Sequence, residues 1–192
     1  MTICEKAAYL TGLFVFGFPP LAAVQLLWVN LLTDCLPTIA LTMEPSENQV
    51  MSRSPITLNG KIFDLRTLVK MVIQSVVIAV VTLIAYSIGF TGGNTTAMTM
   101  AFLTLSLTQI FHAYNIKTSR SIVFTDFRSN EFMGMSTILT LFISSFLSLT
   151  PAGALFGLAR LGFGKYLVCL GLSLIIVPAC EIIKFTEKRL DK

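Results

Sequence analysis

The sequence has little charge and few of the residues on which soluble enzymes rely. Only 12% of its 192 residues are charged, one is histidine, and 54% are hydrophobic, with a mean hydropathy of +0.79. This balance excludes an ordinary soluble domain and is typical of a polytopic membrane protein. We therefore expect membrane lipid to be one of its partners. The net charge of +4 comes from cations that mark one membrane side, so we predict no nucleic-acid partner.

Paired metal ligands and phosphate-binding loops are also missing. The four cysteines show no paired spacing, and all except Cys4 lie in apolar segments, so we interpret them as reduced packing thiols. His112 has no cysteine or second histidine at metal-ligand spacing, which argues against a zinc site. The sequence contains no G-x-x-x-x-G-K-S/T motif. We therefore predict no catalytic and no cofactor-binding residue in this chain.

What is present is a series of apolar runs that lack the alternating pattern of a membrane β-barrel. They predict an all-α fold, a polytopic membrane helical bundle of about six transmembrane helices. No change in composition separates a second domain, so residues 1–192 are predicted to form a single transmembrane domain. The six runs are residues 1–17, 21–43, 65–90, 97–116, 132–150 and 166–185.

Lysines and arginines are distributed unevenly between the two ends of these runs. Of the 14 in the chain, all except Arg160 and Lys165 fall at one side of the predicted bundle. By the positive-inside rule, both termini and the loops 44–64 and 117–131 lie in the cytosol. We therefore predict a multi-pass integral membrane protein of the cell membrane.

The first apolar run is short, because residues 7–16 supply about ten uninterrupted apolar positions whereas a span needs about 20. It is part of a helix that begins upstream, or it is a signal peptide with residues 21–23 as a loose cleavage site. Glu5 and the second helix, which follows directly, favour the first interpretation.

Residues 25–45 contain the most informative pattern. Asn30, Thr33 and Asp34 share one helical face, so their oxygens project toward the same point. Pro37 has no N–H for the carbonyl of Thr33, so this helix is predicted to be broken near Asn30–Pro37, with backbone oxygen released. Such oxygens suit a hard cation, and a carboxylate in lipid needs a proton, a cation or a polar cavity. The alternative is a kinked helix whose polar groups contact neighbouring helices.

Three stretches of the chain carry a resemblance to a known family. VNLLTDCLPTIALTMEP, residues 29–45, resembles the sixth transmembrane helix of P-type cation-transporting ATPases of the calcium-pump branch. MSRSP, residues 51–55, is similar to the M-x-R-x-P element that follows that helix. CEIIKF, residues 180–185, is similar to the end of the last helix. The resemblance implies that the chain corresponds to the second half of helix five through helix ten.

The resemblance also implies a set of ion ligands. Counting back from the QLLW block without a gap, the helix-five glutamate falls on Glu5. The helix-six ligands fall on Asn30, Thr33 and Asp34, and the helix-eight acidic position falls on Gln109. Gln109 supplies neutral oxygen where a two-ion pump has a carboxylate, which favours one ion per cycle. Two further departures are Thr2 in place of the helix-five asparagine and Cys35 in place of the glycine after the aspartate.

The same resemblance defines the expected partners and activity. The chain lacks the DKTG phosphorylation motif, so ATP and Mg²⁺ are expected to bind in a missing N-terminal part of the same pump. The transported cation is expected to be Ca²⁺, and the chain is not competent for catalysis alone. Two alternatives stay open. One is a P-type pump for magnesium, manganese, sodium or protons, and the other is a secondary transporter that uses Asp34.

Overall fold

The computed structural model describes residues 3–17, 19–43, 65–117 and 131–182, and in these ranges the secondary structure is helical. The 51–55 element, most of the predicted loops 44–64 and 117–131, and residues 183–192 lie outside the described residues. The helices are α1 (Ile3–Phe16), α2 (Ala23–Trp28), α3 (Cys35–Thr42), α4 (Leu65–Gly89), α5 (Asn94–Lys117), α6 (Glu131–Leu149) and α7 (Phe163–Leu174).

Short elements of other geometry join or extend these helices. A π-helical segment, Val29–Asp34, joins α2 to α3, so that residues 23–42 form one continuous rod. The 3-10 turns Phe90–Gly92 and Pro151–Phe156 precede α5 and α7. Beyond a turn at Ile175, residues 176–182 continue as helix. Pro178 has no N–H for the carbonyl of Leu174, which explains the turn.

The predicted all-α membrane bundle is confirmed. Within the described ranges, four helical segments are long and apolar enough to cross a membrane: Ala23–Ala40, Leu68–Gly92, Glu131–Leu149 and Phe163–Ile182. Helix α5 has 24 residues, but its threonines, Gln109 and His112 make it more polar than these four. Every residue of α5 from 97 to 110 is buried except Met98. A central helix that contacts α4, α6 and α7 does not need the apolar surface that lipid demands of outer helices.

The turns at residues 19–22, 90–93 and 150–162 lie at one end of the bundle, which we call the turn end. Gln25, just after the first turn, contacts Gly157 in the third, and Gly92 in the second lies close to Lys165, just after the third. The turns lie together because the helices alternate in direction. At this end, two glycines allow neighbouring segments to pack closely. At Gly89, a Cβ would lie 2.6 Å from the Cα of Ala97, and at Gly12 it would lie 2.6 Å from Cγ of Pro20. Glycine therefore allows α4 to cross α5 closely and allows α1 to pack against the chain that enters α2.

Candidate cation site

The rod of residues 23–42 departs from α geometry where the sequence predicts a break. The segment Val29–Asp34 is π-helical, and the N–H of Cys35 donates to the carbonyl of Asn30, five residues earlier. Pro37, which is buried, has no N–H for the carbonyl of Thr33, so α-type hydrogen bonding cannot continue unbroken here. The chain accommodates the proline by widening one turn, and the helix does not unwind. Such π segments occur often at functional sites.

Asn30 contributes an oxygen that has no partner among the described residues. Its Nδ2 donates to the carbonyl of Leu26 at 2.8 Å, which fixes the orientation of the amide. Its Oδ1 is buried and accepts no hydrogen bond from the described part of the chain. A buried acceptor without a donor costs free energy, so this oxygen is suited to a cation or a water molecule.

Thr33 links the π segment to the central helix. Its side chain is 3% exposed, and its Oγ1 lies 2.5 Å from the carbonyl oxygen of Val29. The same Oγ1 also contacts Oε1 of Gln109, which is 7% exposed and 76 positions away in the sequence. The hydroxyl has one proton and faces two acceptors. This point therefore brings together three oxygens, from a hydroxyl, a backbone carbonyl and an amide, and oxygen is the ligand type that a hard cation prefers.

The two predicted carboxylate ligands are located by their backbone alone. Asp34 is the last residue of the π segment, and Glu5 lies in α1. Their side chains are outside the described part of the structure. Lys6, next to Glu5, is exposed. No cluster of three His, Cys, Asp or Glu residues that could hold a metal is found among the described residues. The described oxygens are therefore neutral ones, from Asn30, Thr33 and Gln109.

Two participants in this geometry were not anticipated from the sequence. The first is the carbonyl of Val29, which the pattern of side chains cannot show. The second is Gln25, a fully buried amide four residues before the π segment. The sequence did contain a sign of this: Gln25 is a polar residue within the apolar run that leads to Trp28.

The described oxygens lie on elements that match a known family of membrane proteins. The family model for the C-terminus of cation-transporting ATPases matches residues 18–186. The chain belongs to this family. It is 30% identical over 187 residues to a calcium-transporting ATPase of Listeria monocytogenes, and the match covers 96% of this chain and 21% of the relative. It is 31% identical over 164 residues to one of Bacillus subtilis, covering 81% and 18%.

A further relative matches a similar share of the chain and carries a similar name. Calcium-transporting ATPase 1 of Lactococcus lactis is 30% identical over 187 residues, covering 96% of this chain and 21% of the relative. The chain thus spans about a fifth of the length of these relatives. The predicted resemblance to the C-terminal membrane region of calcium P-type ATPases is confirmed.

Proposed function

We propose that the chain is the membrane part of an ATP-driven calcium pump, in which it supplies ligands and scaffold for the transported ion. The observation that carries the proposal is the group of buried oxygens around the π segment. Asn30 presents an acceptor for which the described part of the chain supplies no donor, and Thr33 brings its hydroxyl against both a carbonyl and Gln109. The names of the relatives support calcium as the ion.

The proposal assigns the remaining parts of the reaction to the rest of the pump. ATP and Mg²⁺ would bind in an N-terminal part that this chain does not contain, and phosphorylation there would change access to the site. Asp34 would supply charge to the ion, with Glu5 as a second carboxylate. Lipid would surround the bundle in the cell membrane, with the turn end outside the cell and both ends of the chain in the cytosol, as the distribution of cations supports.

Ligand substitutions in the full-length pump test the proposal. Asp34→Asn removes the charge and is expected to abolish calcium transport, a loss of about a hundredfold or more, since an interaction with a charged group is the stronger kind. Gln109→Ala removes one neutral oxygen and is expected to raise the calcium concentration for half-maximal activity about two- to tenfold. Gln74→Ala is the matched control, because the Gln74 amide contacts Cys180 elsewhere in the bundle.

Calcium-dependent turnover that survives in Asp34→Asn would contradict the proposed site. Activation by magnesium, manganese, sodium or protons in place of calcium would support an ATP-driven pump but show that it transports a different cation. Transport driven by an ion gradient without ATP would instead favour a secondary transporter.

A further inference from the structure

The segment between α6 and α7, residues 150–161, is held rigidly at the turn end, and we call it the clasp. Its Gly157 has φ +68, a backbone conformation that glycine adopts without strain. Leu158 and Leu161 are buried. Three hydrogen bonds fix the clasp to α5 and α6: Leu161 N–H to Ser148 O at 2.8 Å, Arg160 Nε to Leu149 O at 3.1 Å, and Ala159 N–H to Thr99 Oγ1 at 2.8 Å.

The clasp also holds the beginning of the rod that carries the candidate cation site. Nε2 of Gln25 donates to the carbonyl of Gly157 at 3.2 Å, across 132 positions of sequence. Oε1 of the same amide accepts from the N–H of Ala22 at 3.1 Å. One turn further along, Trp28 meets Phe156 edge to face, with ring centroids 4.9 Å apart. A buried amide whose donor and acceptor are both used, next to a paired aromatic contact, is a specific attachment.

Gln25, which the clasp holds, lies on the same face of the rod as Thr33, whose hydroxyl contributes to the candidate cation site. Gln25, Val29 and Thr33 follow one another at intervals of four residues, and all three are buried. Trp28 directly precedes the π segment. The rod is therefore fixed at two levels, about 12 Å apart along its axis: by the clasp at Gln25, and by Gln109 at Thr33. Two such attachments fix both the height and the rotation of the π segment between them.

We propose that Gln25 and Trp28 are positioning residues for the transported cation. They act through the clasp, which holds the π segment at the height where the Thr33 hydroxyl meets Gln109 and where the Asn30 amide keeps its orientation through Leu26. This inference rests on the proposed function, because it concerns the affinity of the ion site. Loss of the clasp lets the rod slide or rotate, so cation affinity falls while the chemistry of ATP hydrolysis, which lies elsewhere in the pump, is retained.

Calcium-dependent ATPase activity of the full-length pump tests the inference. Gln25→Met removes both amide hydrogen bonds at similar volume, and Phe156→Leu removes the aromatic partner of Trp28. Each is expected to raise the calcium concentration for half-maximal activity about two- to tenfold, with the maximal rate at saturating calcium changed less than twofold. Leu155→Ala is the matched control, because this clasp residue is 84% exposed; it is expected to behave as wild type.

The split between affinity and maximal rate separates positioning from folding. Unchanged calcium affinity in both variants, or a loss confined to the amount of folded protein, would overturn the inference. A wild-type pump without cation-dependent turnover would overturn the proposed function itself, and the inference with it. If another divalent cation activates the wild type, the same shift is measured with that cation.

Tryptophan fluorescence gives a second measurement that needs no turnover. Trp28 is the single tryptophan of this 192-residue chain, so in the purified full-length pump, with any tryptophans outside this chain replaced by phenylalanine, the emission reports the clasp contact directly. Gln25→Met and Phe156→Leu are expected to shift the emission maximum and to increase quenching by a soluble quencher. Leu155→Ala is expected to leave both unchanged. Wild-type emission in both clasp variants would show that neither residue holds Trp28 in place.

Discussion

At the scale of the residue, the Thr33 hydroxyl faces two oxygens, one from its own helical segment and one from α5. It lies within hydrogen-bonding distance of the carbonyl of Val29 and also meets Oε1 of Gln109, but it has one proton for the two acceptors. A threonine that bonds back to its own helix is common, as Thr82 shows with the carbonyl of Ile78 at 2.8 Å. What distinguishes Thr33 is the second oxygen, which comes from another helix.

Replacing this hydroxyl tests whether its oxygen contributes to the cation site. Thr33→Val keeps the shape and removes the oxygen, and it is expected to lower calcium affinity of the full-length pump about two- to tenfold. Thr33→Ser keeps the oxygen and is expected to stay close to wild type. Thr82→Val, a buried threonine of the same hydrogen-bonding type in α4, serves as the control. The measurement is ATPase activity against free calcium, and equal affinity in Thr33→Val and wild type would remove Thr33 from the site.

At the scale of the element, the π segment and Pro37 form one unit. A proline in a helix interior costs about 3 kcal/mol, because it removes a hydrogen bond and crowds the preceding turn. The widened turn at Val29–Asp34 accommodates that defect directly before the proline. Local geometry that costs stability is common where function needs it.

We therefore expect Pro37→Ala to raise the thermal stability of the pump and to lower its calcium affinity. The new N–H can donate to the preceding turn, which favours regular α geometry through residues 29–37. Thermal unfolding of the variant should begin a few degrees above wild type, and its calcium affinity should fall, because the Thr33 hydroxyl rotates away from Gln109 and the Asn30 oxygen turns with it. Both are measured on the purified full-length pump. A stabilised variant with full calcium affinity would show that the π geometry is not needed for binding.

The elements differ in how far the sequence could reveal them. The apolar runs predicted helices that the structure places at closely matching positions, such as 65–90 for Leu65–Gly89, because lipid demands long apolar stretches. The polar face with Pro37 predicted the departure from α geometry. Its π form was not predictable, since a proline in a helix interior can equally kink or break the helix. The contact of Gln25 with Gly157 was not predictable either, because it joins residues 132 positions apart.

At the scale of the whole molecule, the distribution of cations predicts which side of the membrane each end of the bundle faces. Arg160 lies at the turn end, where its Nε donates to the carbonyl of Leu149, and Lys165 begins the helix that follows. The remaining lysines and arginines are predicted on the cytosolic side. In a background without the four native cysteines, Thr91→Cys should react with a membrane-impermeant maleimide added outside intact cells, and Asn59→Cys should react only after lysis. The reverse labelling pattern would show that the predicted topology is wrong and that the turn end faces the cytosol.

The number of ions per cycle is also a property of the whole pump. A calcium ion takes about 6–8 oxygens and binds more tightly as ligand charge rises. The carboxylates that the resemblance implies are Glu5 and Asp34 in this chain, and one more is expected from the helix-four segment that completes the ion site of the family. Two calcium ions bring four positive charges, which three carboxylates cannot neutralise in a low-dielectric bundle, where uncompensated charge is expensive. Gln109 adds oxygen at the contact with Thr33 but no charge.

We therefore expect the full-length pump to bind one calcium ion per phosphorylation site. Equilibrium binding of radioactive calcium, normalised to the amount of phosphorylated enzyme, measures this ratio. Gln109→Glu supplies the fourth carboxylate and is expected to raise the ratio toward two, whereas Gln74→Glu, which adds the same charge away from the site, is expected to leave it at one. Two high-affinity ions in the wild type would mean that neutral oxygens from Asn30, Thr33 and Gln109 suffice for a second ion, and that charge balance does not set the stoichiometry of this pump.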